Sequence, residues 1–237
     1  AMISKRFLYF IFLICIIIGS SCKSELDNKK TPISDKELKE KLPEHVDCKT
    51  LNALGHAAWQ RNIGKRVQVD ARKIGKICSE ICNKLEIQDY WEPLKNIISK
   101  AKAEGLVPSG LNVANVPLIE DTIDNWQRLA FKHDINFGDV NWKDLQNICR
   151  EVLTTSIEQA YAGNIDFDDQ LYMTVCFRAP MEKYELVLVD EAQDLSPLQH
   201  LMVGMSLEKG GRLIAVGDPR QAIYGFRGAD VRSLETL

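Results

Sequence analysis

Apolar and polar positions repeat with a helical period through the middle of the chain. One stripe predicts an amphipathic helix that begins at Asp70, and its apolar members recur every three or four residues: Ile74, Ile77, Cys78, Ile81, Cys82 and Leu85. Similar spacing predicts further helices over residues 50–60, 91–103, 117–133 and 141–162. Gly105 and Gly163 follow two of these helices as stop signals. Residues 70–162 are therefore expected to form a mostly helical block.

Two short runs further along are continuously apolar and rich in β-branched residues, which is typical of strands buried on both faces of a parallel sheet. They cover residues 185–189 and 212–216, and each ends in a turn that carries acidic residues. Between them, Ser196 and Gln199 match a capping box with Pro197 at the first helical position. Strand, helix and strand together predict one βαβ unit.

The first residues have a different character. Lys5 and Arg6 precede an uncharged apolar run from Phe7 to Ile18, followed by small residues and Cys22. This order is typical of a secretory signal or a lipoprotein leader, and the run is short for a membrane span, which needs about 20 residues. A buried strand or helix is the alternative. We expect a leader foreign to the domain, disordered or lying on its surface as a helix.

Composition adds limits rather than a function. The chain has 237 residues, of which 45% are hydrophobic and 27% charged, with a net charge of −3. These values fit a globular protein with a sizeable core and exclude a disordered or fibrous chain. A nucleic-acid site would have to be a local patch. The 7 cysteines are scattered without a CxxC pair, so we expect reduced thiols in a cytosolic protein rather than disulfides or a zinc site.

The acidic turns lie where chemistry is expected, because open parallel sheets bind ligands at the carboxyl ends of their strands. Asp190 and Glu191 follow the first of the two strands. An aspartate at a strand end suits Mg²⁺, which prefers one or two carboxylates together with phosphate oxygens. A glutamate beside it can orient or deprotonate a water that attacks a phosphate. For the pair alone, a solvated acidic turn is the alternative.

Two longer strings decide between these interpretations. The chain has VLVDEAQDLSPLQ from Val187 and VGDPRQAIYGFRGAD from Val216. Together they resemble the second and third helicase motifs of the UvrD/Rep-like superfamily 1 DNA helicases. Two weaker matches precede them in the family's order, TLNALG from Thr50 and IDFDD from Ile165. The resemblance covers roughly residues 28–237.

The resemblance implies an α/β fold with an incomplete RecA-like parallel sheet and a mostly helical insertion. The implied parts are a leader at 1–24, the start of the RecA-like domain at 25–69, the insertion at 70–162 and the RecA-like core at 163–237. We expect the missing first strand to leave an exposed apolar edge beside the strand that ends at Val189.

The resemblance also implies roles for single residues. Asp190 resembles the acid that coordinates Mg²⁺, Glu191 the catalytic base, and Gln221 the glutamine that senses the γ-phosphate of ATP. Other residues of the implied nucleotide site are Gln193, Asp194, Gly217 and Asp218. Implied contacts to single-stranded DNA come from Thr50, Leu51, Asn52, Tyr224, Phe226 and Arg227. Among these, Phe226 takes the place of an aromatic that stacks on a base.

The implied function is that of an ATP-dependent DNA helicase in the cytoplasm, which couples hydrolysis of ATP with Mg²⁺ to movement on single-stranded DNA. The sequence contains no GxxxxGK[ST] phosphate loop. We therefore expect a piece of such a motor, with the rest of the motor as its partner. Two alternatives stay open: a non-catalytic DNA-binding remnant, and a lipoprotein attached to a membrane through Cys22 with vestigial helicase similarity.

Overall fold

The structure is a computed structural model that describes residues 7–10, 46–111 and 119–218, with the backbone alone for residues 7–10. The α-helices in this part of the chain are α1 (Leu51–Ile63), α2 (Lys73–Leu85), α3 (Trp91–Ala103), α4 (Ile123–Lys132), α5 (Trp142–Ala162), α6 (Asp169–Cys176) and α7 (Pro197–Ser206). The strands are β1 (Phe7–Phe10), β2 (Val46–Lys49), β3 (Gln68–Val69), β4 (Asn164–Ile165), β5 (Tyr184–Val189) and β6 (Leu207–Ala215).

The main sheet of the described residues is parallel, with the strand order β2-β1-β5-β6. Phe10 pairs with Lys49 on one side and with Val189 on the other, and Val189 pairs with Ala215. All four strands therefore end at the same edge of the sheet. The predicted βαβ unit is confirmed, because β5 and β6 pair in parallel and α7 connects them. The strands β3 and β4 form a separate parallel pair.

The apolar leader contributes a strand to this sheet. β1 lies between β2 and β5 and pairs with both. The expectation of disorder or a surface helix is therefore wrong for residues 7–10, which form a strand as in the alternative interpretation. The expected exposed edge beside β5 is wrong too, because β1 and β6 cover its two sides. A run rich in phenylalanine and tyrosine suits a strand, and a central position satisfies its backbone on both sides. Cys22 lies outside the described residues.

Local capping signals fix both ends of α5 and the start of α7 as predicted, whereas the helix predicted from Asp70 begins at Lys73 without a side-chain cap. Asn141 caps α5 by accepting from the backbone of the first turn, and Gly163 ends it with φ of 98°. Ser196 and Gln199 form the predicted capping box of α7. The helix predicted over 117–133 begins only at Ile123, because Thr122 takes the cap position. Within the described ranges, no helix is both long and apolar enough to cross a membrane.

One hydrophobic core connects the sheet with the helical block. The apolar stripe of α2 lies in it up to Cys82, whereas Leu85, the last predicted member, is 42% exposed at the end of the helix. The predicted packing role of Cys78 and Cys82 is confirmed, since both are buried. The cysteines of the described residues are buried and form no disulfide with one another: Cys48, Cys78, Cys82, Cys149 and Cys176. Burial raises the pKa of Cys78 and of Cys176 to about 12, so these thiols stay protonated and unreactive at neutral pH.

A buried cluster of charges ties the helical block to the turn between β4 and α6. We call Lys73, Lys102, Asp166 and Asp169 the lysine–aspartate cluster. Lys73 Nζ lies 2.6 Å from Asp169 Oδ2, and Lys102 Nζ lies 2.6 Å from Asp166 Oδ2 and 2.7 Å from Asp169 Oδ1. Burial opposes ionisation of Asp169, but the two lysines outweigh it and lower the pKa of this carboxyl. The charges therefore compensate one another away from water.

Asp168, in the same turn, faces the cluster without a lysine within salt-bridge distance among the described ion pairs. Its Oδ2 accepts a hydrogen bond of 2.7 Å from Ser99 Oγ on α3. Burial, together with the charge of Asp166, raises the pKa of Asp168 to about 6. The turn thus carries three carboxylates, and two lysines pair with them. The side chains of Lys73, Ser99 and Lys102 connect the turn to α2 and α3.

Two helices approach each other closely at Gly55. A Cβ at this position would overlap the Gln170 backbone oxygen on α6, far inside van der Waals contact distance. The Thr174 hydroxyl of α6 donates to the Gly55 carbonyl at 3.0 Å, which holds the contact. Glycine is therefore required here by backbone contact rather than by its φ angle.

We predict that Gly55→Ala destabilises the fold by about 2–3 kcal/mol, because the added methyl group must push two backbones apart. Gly204→Ala is the matched control, since a Cβ at Gly204 on α7 meets nothing within 4 Å. Alanine is the better helix former, so this control should be neutral or stabilising by up to about 1 kcal/mol. Urea unfolding monitored by circular dichroism measures both changes. Equal stabilities of the two variants would contradict the close contact.

Candidate functional site

The predicted site residues of the sheet come together at the edge where the strands end. The strands β2, β5 and β6 end at Lys49, Val189 and Ala215. β1 pairs with both β2 and β5, and β5 pairs with β6, so these three ends lie along one edge. Thr50 follows the first strand, Asp190 the second, and Gly217–Asp218 the third. The parallel register thus brings three predicted segments to one edge, as expected for a ligand site.

The turn after β5 presents its two acids to solvent while its other members are buried. Asp190 is half-buried, and its Oδ1 accepts the Glu191 backbone N–H at 3.0 Å. Glu191 is exposed and adopts the left-handed conformation, with φ of 52° and ψ of 40°. A non-glycine residue rarely adopts this conformation without a compensating contact, and such strain clusters at functional sites. The backbone therefore turns sharply at the residue predicted to be the base.

Gln193 connects this turn to the turn after β6. Its Nε2 donates to Glu191 Oε2 at 2.6 Å, and its Oε1 accepts the Asp218 backbone N–H at 3.1 Å. Backbone bonds support the same link, because Ala192 N donates to the Val216 carbonyl at 2.9 Å. A Cβ on Gly217 would overlap the Gln193 side chain. The glycine therefore leaves the room that the buried glutamine needs to span both turns.

The two acids after β5 match the small number of carboxylates with which proteins bind Mg²⁺. Within residues 46–111 and 119–218, no group of three or more His, Cys, Asp or Glu side chains could hold a metal. Mg²⁺ binds with only one or two carboxylates when phosphate oxygens and water complete its shell. Asp190 at the end of β5 can supply one such carboxylate, beside a depression of about 160 Å³ that is lined by Leu188, Val189, Asp190, Ile214 and Val216.

The segment after β2 divides into residues with different exposure. The Thr50 hydroxyl caps α1 by accepting from Ala53 N at 3.1 Å. Leu51 is only 5% exposed and packs in the hydrophobic core. The predicted contact of Leu51 with DNA is therefore wrong, because an apolar side chain in the first turn of α1 is buried there. Asn52 is half-buried, and its amide points at the turn between β4 and α6.

Phe167 is a candidate that the sequence interpretation missed. It lies in the turn after β4, is 54% exposed, and its carbonyl accepts from Asn52 Nδ2 at 3.1 Å. Its acidic neighbours are buried at Asp166 and half-buried at Asp168, so an aromatic ring left in solvent is conspicuous. The signal was present in the sequence, because Phe167 stands between the acidic residues of the IDFDD string. Only the structure shows that it adjoins the segment after β2.

Four predicted residues lie outside the described residues: Gln221, Tyr224, Phe226 and Arg227. Their roles stay predictions from the sequence. Asp194 is described and buried, and its backbone N–H donates to the Glu191 carbonyl at 3.0 Å, which closes the turn.

The comparison with protein families agrees with this arrangement. The family model described as "UvrD/REP helicase N-terminal domain" matches residues 19–237. The chain belongs to this family. The match includes the helical block together with both acid-bearing turns, and it begins within the predicted leader. Membership in the UvrD/REP helicase N-terminal domain family accords with the mixed α/β fold and its parallel sheet.

Individual relatives are similar over shorter stretches. The RecBCD enzyme subunit RecB of Mycobacterium tuberculosis is 46% identical over 52 residues, which are 22% of this chain and 5% of the relative. A probable DNA helicase II homolog of Rickettsia conorii is 28% identical over 146 residues, 58% of this chain and 19% of the relative. The ATP-dependent DNA helicase PcrA of Staphylococcus epidermidis is 36% identical over 78 residues, 30% and 11% respectively. The chain thus spans a small part of each relative's length.

We predict that Glu191→Gly gives a more stable protein than Glu191→Ala, by about 1 kcal/mol. Both substitutions remove the carboxylate and its bond to Gln193, but only glycine adopts the left-handed conformation without a steric penalty. Thermal unfolding of the two variants measures the difference directly. At Glu208, an exposed residue of β6, the same two substitutions serve as a control and should rank in the opposite order. A less stable glycine variant at residue 191 would contradict the strain.

Proposed function

We propose that this chain is part of the ATP-binding motor domain of an ATP-dependent DNA helicase that moves on single-stranded DNA. The observation that carries the proposal is the link between two acid-bearing turns at one edge of a parallel sheet, made by Gln193. Family membership supports it. The names of two similar proteins, "ATP-dependent DNA helicase PcrA" and "Probable DNA helicase II homolog", also support it.

In this proposal the two acids after β5 divide the chemistry. Asp190 would hold Mg²⁺, and the ion would supply positive charge to the phosphates of bound ATP. Glu191 accepts the proton of the water that attacks the γ-phosphorus, while the bond to the departing ADP oxygen breaks. The exposed position of Glu191 suits contact with water, and the hydrogen bond from Gln193 orients its carboxylate.

Gln193 gives the hydrolytic residue a direct connection to the third motif. It bonds the carboxylate of Glu191 and the backbone of Asp218, and the chain continues from there to Gln221 and Phe226. A change at the γ-phosphate can therefore reach the turn after β6 through one side chain. We propose that this is how nucleotide state alters the grip on DNA.

Single-stranded DNA is proposed to lie along the edge formed by the segment after β2 and by Phe167. An exposed aromatic ring provides a stacking surface for any base, worth about 1–3 kcal/mol per base. Phe226 and Arg227 are proposed to add a second ring and a positive charge. This arrangement accounts for DNA binding by a chain without an overall positive charge.

A DNA-binding module without turnover is the second candidate, because the sequence contains no GxxxxGK[ST] string that could cradle the triphosphate. The two candidates differ in one measurement. Both predict binding of single-stranded DNA, whereas only the motor predicts ATP hydrolysis that DNA stimulates once a phosphate loop is joined ahead of Thr50.

In a chain that carries such a phosphate loop, we predict that Glu191→Gln lowers the ATPase rate about 100-fold or more and leaves ATP binding intact. Glutamine keeps the shape of the side chain but cannot accept a proton. Phosphate release with oligonucleotide present measures the rate. Glu185→Gln, the same change at the other end of β5, is the control and should keep the parent rate. Turnover within a few-fold of the parent would remove Glu191 from the mechanism.

We predict that Phe226→Ala weakens binding of single-stranded DNA by about 1–3 kcal/mol with little dependence on base sequence. Arg227→Ala should weaken it too, and should flatten the plot of log affinity against log salt by about 0.7, because one fewer phosphate is neutralised. Fluorescence anisotropy at several salt concentrations measures both. Arg212→Ala removes a charge from exposed β6 and should leave the slope unchanged. Parent affinity and slope in both test variants would show that these residues do not bind DNA.

A further inference from the structure

The side chain of Asn52 has both of its donor hydrogens engaged inside the protein. Nδ2 donates to the Phe167 carbonyl at 3.1 Å and to Gln170 Oε1 at 2.7 Å. A backbone carbonyl can only accept, so this contact also fixes which end of the amide carries the nitrogen. The amide nitrogen has two hydrogens, and two acceptors already occupy them. Only the acceptor oxygen of Asn52 is left for an outside partner.

This occupancy makes Asn52 a poor ligand for the DNA backbone. A phosphate is a hydrogen-bond acceptor and is bound by donors such as amide N–H groups. The oxygen of Asn52 would meet a phosphate oxygen with like partial charge. Binding a phosphate through the nitrogen would break one of two bonds that hold the neighbouring turn.

The turn that Asn52 contacts, residues 166–169, is also held by the lysine–aspartate cluster. Lys102 pairs with Asp166, and both lysines of the lysine–aspartate cluster pair with Asp169. The backbone N–H of Asp169 donates to Asp166 Oδ1 at 2.7 Å, which closes the turn on itself. Phe167 is therefore the exposed member of a turn whose neighbours are fixed by buried charges. Asn52 restrains the Phe167 backbone itself.

We propose that Asn52 is a positioning residue: it fixes the turn that carries Phe167, the ring stacks on a single-stranded base, and Asn52 makes no contact with DNA. This inference rests on the proposed function, since it takes the Phe167 ring as part of the DNA surface. It replaces the role that the sequence suggested for Asn52. It also joins α1, next to the strand ends, to the turn that the helical block holds.

A double-mutant cycle tests the inference. Asn52→Ala, Phe167→Ala and the double variant are compared with the parent in binding a labelled oligothymidylate, followed by fluorescence anisotropy. Phe167→Ala should weaken binding about tenfold. Asn52→Ala should weaken it by less, and the double variant should bind within about twofold of Phe167→Ala, because residues that act through one contact are not additive.

A spectroscopic signal separates positioning from general loss of structure. The fluorescence change of 2-aminopurine in the bound oligonucleotide reports stacking. It should fall most in Phe167→Ala, where the signal of Phe226 remains, and by a smaller amount in Asn52→Ala. His56→Ala, one turn further along α1, is the matched control and should keep the parent signal. Thermal melting verifies that each variant is folded. If the alanine variant melts early, Asn52→Ser repeats the test. Serine stays polar, but its side chain is too short to reach either acceptor of Asn52.

The outcomes distinguish the inference from the proposed function. If Asn52 and Phe167 contribute independently, the two losses multiply in the double variant, and Asn52 contacts DNA itself; the inference is then wrong while the proposed function stands. Parent-like binding by Asn52→Ala overturns the inference in the same way. If Phe167→Ala binds DNA as tightly as the parent, the proposed Phe167 contact fails, and the positioning role fails with it.

Discussion

The common end of four parallel strands is the constraint on which the candidate site depends. Because β2, β1, β5 and β6 run in one direction and in register, their carboxyl ends meet at one edge. Residues far apart in the sequence, such as Thr50 and Asp190, are brought to that edge by backbone pairing alone. The side chains then need only short-range bonds to form a site, and Gln193 provides the shortest of them.

Two kinds of connection lead away from this edge. The bond from Gln193 to the turn after β6 links the acids to the third motif. The bond from Asn52 to Phe167 links α1 to the turn that the lysines of the helical block hold. Both connections are made by uncharged amides. The Gln193 amide donates to the first turn and accepts from the second, whereas the Asn52 amide donates both of its hydrogens. Each amide connects two segments without the desolvation cost of a buried charge.

The sequence predicted those parts of the fold that depend on local signals. The caps at Asn141 and Ser196 and the βαβ unit were predicted because capping and continuous apolar runs act within a few residues. The strand order was not predictable from local signals, because the same apolar run at Phe7–Phe10 suits a leader, a helix or a strand. Its place between β2 and β5 depends on partners at the far end of the chain.

For the candidate site, too, local signals were predictable from the sequence and long-range packing was not. Asp190 and Glu191 could be predicted from a motif, since their chemistry is tied to a strand end. The burial of Leu51 and the exposure of Phe167 could not, because both depend on how α1 and α6 pack. The engagement of the Asn52 amide likewise needs the turn at Phe167, which lies more than a hundred residues away in the sequence.

The lysine–aspartate cluster places a limit on how this region can diverge among related proteins. Removing one partner of a buried ion pair leaves an uncompensated charge, at a cost of about 3–5 kcal/mol, a large fraction of a domain's stability. Replacing all partners together by apolar residues of similar volume carries no such penalty. Lys73, Lys102 and Asp169 are separated widely along the chain but share their oxygen and nitrogen contacts. We therefore expect the cluster to change only as a whole, because each single replacement carries the cost of an unpaired buried charge.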